Sequence, residues 1–174
     1  MNIPNLLTII RLVLVPVFLF VFFSDLPNGV FIALLIFLAA GFTDILDGAI
    51  ARRFNMVTKW GAILDPLADK LMSLTVLISL TVSSIIPVWV LLIIGAKELL
   101  MISGATQLFR TGKFVPAKSY GKAASVLFYI SIITLEFINK SIGLLFIYAS
   151  VLSSLFALYK YIENYIIIQK KYGK

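Results

Sequence analysis

Long apolar runs, broken only by short clusters of Gly, Pro, Ser, Asn and charge, constrain this chain more than any other feature. Hydrocarbon offers a peptide group no hydrogen-bond partner, so a segment inside a bilayer must satisfy its own backbone. A helix does this, and about 20 residues of helix cross the apolar core. Of the 174 residues, 61% are hydrophobic and 13% charged, against roughly one-quarter charged in a soluble domain. The expectation is an all-α polytopic membrane protein, residues 1–174 forming a single membrane domain with no room for a sizeable soluble one.

The apolar opening carries no basic region ahead of it, no small-residue cleavage site, and Arg11 within it, so it is not read as a signal peptide. Residues 1–10 are expected to be an interfacial segment running into a first spanning helix that ends near Phe23, kinked at Pro16. Ser24 to Gly29 is a turn. Further spans are expected at about 30–52, 61–83, 88–109, 123–138 and 142–163, giving six transmembrane helices. The reversal after the second span, the loop from Arg110 to Lys122 and the C-terminal tail carry the basic residues, while the opposite side offers Lys140. The positive-inside rule then places both termini in the cytoplasm of a multi-pass cell-membrane protein.

The formal charge of +7 belongs to these topology-setting loops beside anionic lipid. No basic patch or motif points to nucleic acid. With neither cysteine nor histidine, thiolate chemistry, the usual general base and the usual zinc ligand are excluded. A metal must be held by oxygen, which selects a hard cation such as Mg²⁺ or Mn²⁺.

Against this background, four of the five aspartates fall between Asp44 and Asp69. Each carboxylate in or beside a bilayer costs roughly 2.5–3.5 kcal/mol even on lenient insertion scales. Asp44 and Asp47 are i,i+3 on the second helix, with Gly48 and Arg52 continuing their stripe; Asp65 and Asp69 are i,i+4 on the third. A short link makes the two helices antiparallel neighbours, so the pairs can face one another at the cytoplasmic end. Four unneutralised carboxylates would protonate, whereas two divalent ions supply +4. Gly48 lets a ligand approach the helix, and Arg52 is placed for phosphate oxygens. The competing reading pairs Asp47 with Arg52 or Arg53, and Asp69 with Lys70 or Lys97.

Asp44-x2-Asp47-Gly48-x2-Ala51-Arg52-x8-Gly61-x3-Asp65-x3-Asp69 matches every position of the signature of the CDP-alcohol phosphotransferase family. The opening NIPNLLTIIR, LDPLADK around Asp65, and Tyr120-Gly121-Lys122 resemble its phosphatidylglycerophosphate synthases. The resemblance implies a six-helix membrane enzyme that transfers a phosphatidyl group from CDP-diacylglycerol to an alcohol and releases CMP. It implies that Asp44, Asp47 and Asp65 bind a divalent pair. It further implies that Asp69 lies near a metal and acts as general base on the acceptor hydroxyl. Gly48, Ala51, Arg52 and Gly61 would line the CDP subsite, and a homodimer is expected. Asn5, Thr8 and Arg11, at i, i+3 and i+6, share a partly polar face that either caps the nucleotide or anchors the helix at the interface.

Glycerol 3-phosphate, as acceptor, requires further cations for its phosphate, and Lys97, Arg110, Lys118 and Lys122 are the candidates. Lys97 has Glu98 as its alternative partner, although adjacent helix residues point about 100° apart. The glycerophosphate-using relatives usually carry Arg-Glu where this chain has Lys97-Glu98, which keeps the charge and loses the fork. Cardiolipin synthases of the same family, with phosphatidylglycerol as acceptor, are the alternative within the class. An ion-binding membrane transporter is the alternative outside it, although transport sites lie near the midplane.

Overall fold

The computed structural model describes residues 3–53, 61–110 and 119–172, and within these the side chains outside 3–5, 45, 47–53, 61–63, 66, 104–110, 119–122 and 168–172. The described residues form six α-helices and no strand: α1 (Ile3–Phe22), α2 (Gly29–Arg53), α3 (Gly61–Val82), α4 (Val88–Arg110), α5 (Ser119–Phe137) and α6 (Lys140–Tyr172). The all-α expectation holds. α1 runs unbroken from Ile3, so residues 3–10 of the expected interfacial segment and the apolar run after them are one helix, with Pro16 inside it.

Helices α1 to α3 form one compact unit, residues 1–85. α1 packs along both α2 and α3, more extensively than those two pack on each other. Buried positions recur at helical spacing: Phe18 and Phe22 on α1, Ala33, Phe37 and Ala40 on α2, Met72, Val76 and Leu80 on α3. The small residues among them let helices approach where lipid supplies no hydrophobic driving force. The α1–α2 turn places Asn28 at φ 62°, a left-handed conformation that Asn tolerates better than most residues. α3 ends on paired bonds from Ser84 N–H to Thr81 O (3.0 Å) and Ile85 N–H to Leu80 O (2.9 Å), with Ser84 at φ 56°. This is a Schellman stop with serine where glycine is usual.

Helices α4 to α6 form the second unit, residues 86–174. α5 and α6 make a close hairpin whose buried face includes Phe128, Ile132 and Leu135 against Ile147 and Val151. Asn139 caps α6, its side-chain oxygen accepting from the N–H groups of Ser141 (2.9 Å) and Ile142 (3.3 Å). Buried Ser131, Ser150 and Ser154 donate to carbonyls of their own helices, at Phe128, Ile147 and Val151, which satisfies each hydroxyl without water. α4 meets α6 through a stacked Trp89–Tyr148 pair with ring centroids 5.3 Å apart and through the Tyr161 hydroxyl, which donates to the Met101 carbonyl at 3.4 Å.

The structure moves several expected boundaries. α5 starts at Ser119, so Tyr120, Gly121 and Lys122 are helical and not part of the loop. α6 runs to Tyr172, well past the expected end near 163. Its stretch Lys140–Ile167 is long and apolar enough to cross a bilayer, while Leu6–Phe22, Gly29–Asp44 and Ala123–Phe137 are shorter apolar helices. Large apolar side chains such as Phe20, Leu99 and Leu152 stand at least two-thirds exposed.

Candidate functional site

Three of the four clustered aspartates have described side chains, and all are half-buried: Asp44 on α2, Asp65 and Asp69 on α3. Asp65 and Asp69 lie one turn apart and so share a face of α3. Asp47 follows Asp44 by three residues on α2; its side chain lies outside the described residues, as do those of Ala51 and Arg52. Gly48, Ala51 and Arg52 occupy the last turns of α2, and Gly61 opens α3.

The first helix organises these acids. The Arg11 guanidinium donates from Nη1 to Asp44 Oδ1 at 2.6 Å, and the Thr8 hydroxyl donates to Asp65 Oδ1. Thr8 and Arg11 are i,i+3 on α1, so one face reaches the acid-bearing helices on both sides. The pair is asymmetric in burial: the Arg11 side chain is 1% exposed and that of Asp44 39%. A guanidinium with almost no contact with water needs a fixed anionic partner. The partner in turn keeps part of its side chain exposed.

Thr8 was expected at the CDP subsite, with Arg11 on the same polar face; the structure sets both against carboxylates. Asn5 lies on α1 one turn before Thr8, with its side chain outside the described residues. The signal for Arg11 is available in the sequence, as a charge inside an apolar run. Its partner, 33 residues away, is not.

An all-oxygen donor set of partly exposed carboxylates suits a hard divalent cation, and the bonds from α1 fix one oxygen of Asp44 and one of Asp65, as outer-shell partners of metal ligands do. Among the described residues no three acidic side chains already gather into an ion-binding group. Asp47, the fourth aspartate of the expected set, has its side chain outside the described residues.

The expected acceptor residues lie on the second unit. Lys97 is 2.6 Å from Glu98 through Nζ and Oε1, each side chain 8% exposed. The two long side chains curl together despite diverging Cα–Cβ directions. Beside them, Gly95 faces open space. Arg110 is the last residue of α4 and Lys122 lies in the first turn of α5; their side chains, and all of Lys118, are outside the described residues.

Comparison with known proteins agrees with the signature. The profile of the family described as CDP-alcohol phosphatidyltransferase matches residues 1–157. A Rickettsia bellii protein named CDP-diacylglycerol–glycerol-3-phosphate 3-phosphatidyltransferase is 38% identical over 137 residues, covering 77% of this chain and 75% of that protein. A Streptomyces coelicolor protein named cardiolipin synthase (CMP-forming) is 37% identical over 129 residues, 72% of this chain and 60% of that one. A Mycobacterium tuberculosis relative is 36% identical over 136 residues, 78% of this chain and 64% of its own length. The chain thus spans less than two thirds of the last two. A match that runs through α1 to α5 and most of α6, and includes the aspartates of α2 and α3, places this chain in the CDP-alcohol phosphatidyltransferase family.

Proposed function

We propose that the protein transfers a phosphatidyl group from CDP-diacylglycerol to glycerol 3-phosphate, forming phosphatidylglycerophosphate and CMP. The observation that carries this reading is the eight-residue signature, with Asp44 and Asp65 held from α1, in a chain 38% identical to a relative bearing that activity's name. A free hydroxyl oxygen of glycerol 3-phosphate attacks the phosphatidyl phosphorus. The new P–O bond forms as the bond to CMP breaks, and CMP leaves with the electron pair. The Asp69 carboxylate takes the hydroxyl proton, a role open to it in a chain without histidine.

Asp44, Asp47, Asp65 and Asp69 would hold two divalent ions, Mg²⁺ or Mn²⁺. Such ions neutralise charge on the pyrophosphate and make CMP a better leaving group. Gly48, Ala51, Arg52 and Gly61 would border the nucleotide, Arg52 meeting phosphate oxygens as a fork. Lys97, Arg110, Lys118 and Lys122 would receive the acceptor phosphate, Lys97 exchanging part of its pairing with Glu98 for it.

The same reading takes residues 1–174 as one domain whose six helices all cross the cell membrane, with both termini and the acidic cluster on the cytoplasmic side. The charge bias of the loops supports this. So do the exposed apolar side chains on the helices. A homodimer is proposed on family likeness.

The Streptomyces relative supports a second reading, in which the acceptor is phosphatidylglycerol and the product cardiolipin. Purified protein in detergent, given CDP-diacylglycerol and Mg²⁺ or Mn²⁺, decides between them on an acceptor panel. CMP release that depends on glycerol 3-phosphate supports the first reading, and release that depends on phosphatidylglycerol supports the second. No release with either, or with serine or inositol phosphate, overturns the enzyme reading and leaves an ion-binding membrane protein.

A further inference from the structure

Helix α1 contributes no acid to the cluster, yet it makes the described polar contacts to two of the cluster's carboxylates. Thr8 is 0% and Arg11 1% exposed, and their hydrogen bonds end on Asp65 and Asp44. Both donors are fully buried, whereas the Asp44 side chain keeps 39% of its surface exposed.

We propose that Arg11 and Thr8 are positioning residues: they orient Asp44 and Asp65 for a divalent cation from behind, and do not bind the CDP group. The proposal rests on the reading that these aspartates hold a divalent ion. Each donor occupies one oxygen of its acid and so restricts rotation of the carboxylate before an ion arrives. Outer-shell donors to metal ligands typically control affinity 10–100-fold. The two donors differ in kind. Arg11 adds a permanent positive charge, so simple Coulomb repulsion predicts that deleting it tightens cation binding, whereas loss of orientation predicts that binding weakens. Thr8 is neutral and isolates the orientation effect. A threonine hydroxyl and an arginine one turn apart on one helix can serve both neighbours at once, because α1 packs along α2 and α3 together.

The test is Mn²⁺ titration of purified full-length protein in detergent, followed by electron paramagnetic resonance. A parallel measurement takes the KM for CDP-diacylglycerol at saturating Mn²⁺. The variants are Thr8→Val, which keeps the shape and removes the donor, Thr8→Ser, Arg11→Met and Arg11→Lys. The expected result is a 10–100-fold weaker Mn²⁺ affinity for Thr8→Val and Arg11→Met. KM for CDP-diacylglycerol stays within about twofold once metal saturates. Thr8→Ser recovers most of the affinity, and Arg11→Lys, which keeps charge without the planar fork, recovers part.

Unchanged Mn²⁺ affinity in Thr8→Val with a wild-type melting profile overturns the proposal, and so does tighter Mn²⁺ binding in Arg11→Met. A KM rise of tenfold or more at saturating metal, with Mn²⁺ affinity unmoved, assigns these residues to the nucleotide instead. Absence of Mn²⁺ binding by the wild-type protein defeats the metal-site reading itself, a result separable from failure of the variants alone. If Arg11→Met does not fold, the Thr8 pair carries the decision.

Discussion

Lys97 and Glu98, neighbours in sequence on α4, close an ion pair of 2.6 Å with both side chains more than nine-tenths buried. Removing one partner of a buried ion pair typically costs about 3–5 kcal/mol, whereas removing both can be nearly neutral. Lys97→Met should therefore melt well below wild type, and Lys97→Met with Glu98→Gln should recover most of the loss. Tryptophan fluorescence during heating in detergent checks both. If the double variant regains stability while its use of glycerol 3-phosphate stays low and CDP-diacylglycerol binding is intact, Lys97 serves the acceptor. Parallel recovery of both properties would limit it to structure.

Gly143 lies so close to Leu135 that a Cβ at this position would overlap the Leu135 backbone. The clash involves main chain, which no rotamer change relieves. Gly143→Ala should destabilise the α5–α6 hairpin by roughly 1–3 kcal/mol. It should lower the melting temperature of the protein, while the ratio of activities with glycerol 3-phosphate and phosphatidylglycerol stays unchanged.

Ser84 holds φ 56° at the end of α3. A left-handed conformation costs a side-chain-bearing residue roughly 1–2 kcal/mol that glycine does not incur. Ser84→Gly should raise the melting temperature or leave it level, since the glycine chain also loses more freedom on folding. A clear fall would mean that the serine hydroxyl contributes to this stop.

Asp69→Asn keeps size and hydrogen-bonding capacity while removing the base. Turnover should fall about 10²–10⁴-fold, while CDP-diacylglycerol binding and Mn²⁺ affinity fall much less. Equal loss of binding and turnover would leave Asp69 a metal ligand alone and argue against proton transfer.

Chelation separates metal-dependent turnover from folding. Excess EDTA should abolish CMP release and Mg²⁺ or Mn²⁺ should restore it, with the helical circular-dichroism signal unchanged throughout. Activity that survives exhaustive chelation would remove the divalent ions from the reaction.

The six helices among the described residues and the place of the acids on α2 and α3 were legible because both depend on local rules: apolar runs bounded by turn residues, and carboxylates at i,i+3 and i,i+4. The far end of α6 was not. Lys160, Glu163 and Asn164 look like the polar end of a span, yet Lys160 pairs with Glu163 at 2.7 Å and Asn164 bonds back to the Lys160 carbonyl, so the helix continues through them. Helix phase points Lys97 and Glu98 apart, and the reach of two long side chains, which phase does not encode, closes the pair. Thr8 and Arg11 share one face of α1, as their spacing predicts, and that face meets Asp65 and Asp44. What they touch depends on how α1 packs against α2 and α3, across separations of 57 and 33 residues, and no local pattern encodes that.

The contacts from Thr8 and Arg11 to the acids also fix an order of assembly. Both donors and all four clustered aspartates precede Ile86, inside the unit of residues 1–85. During synthesis, which runs from the N-terminus, the anchoring helix emerges before Asp44 and Asp47, and Asp65 and Asp69 follow them. The cluster can therefore reach its tethered arrangement while α4 to α6 are still being made, in keeping with the tendency of compact units to fold in the order they are translated.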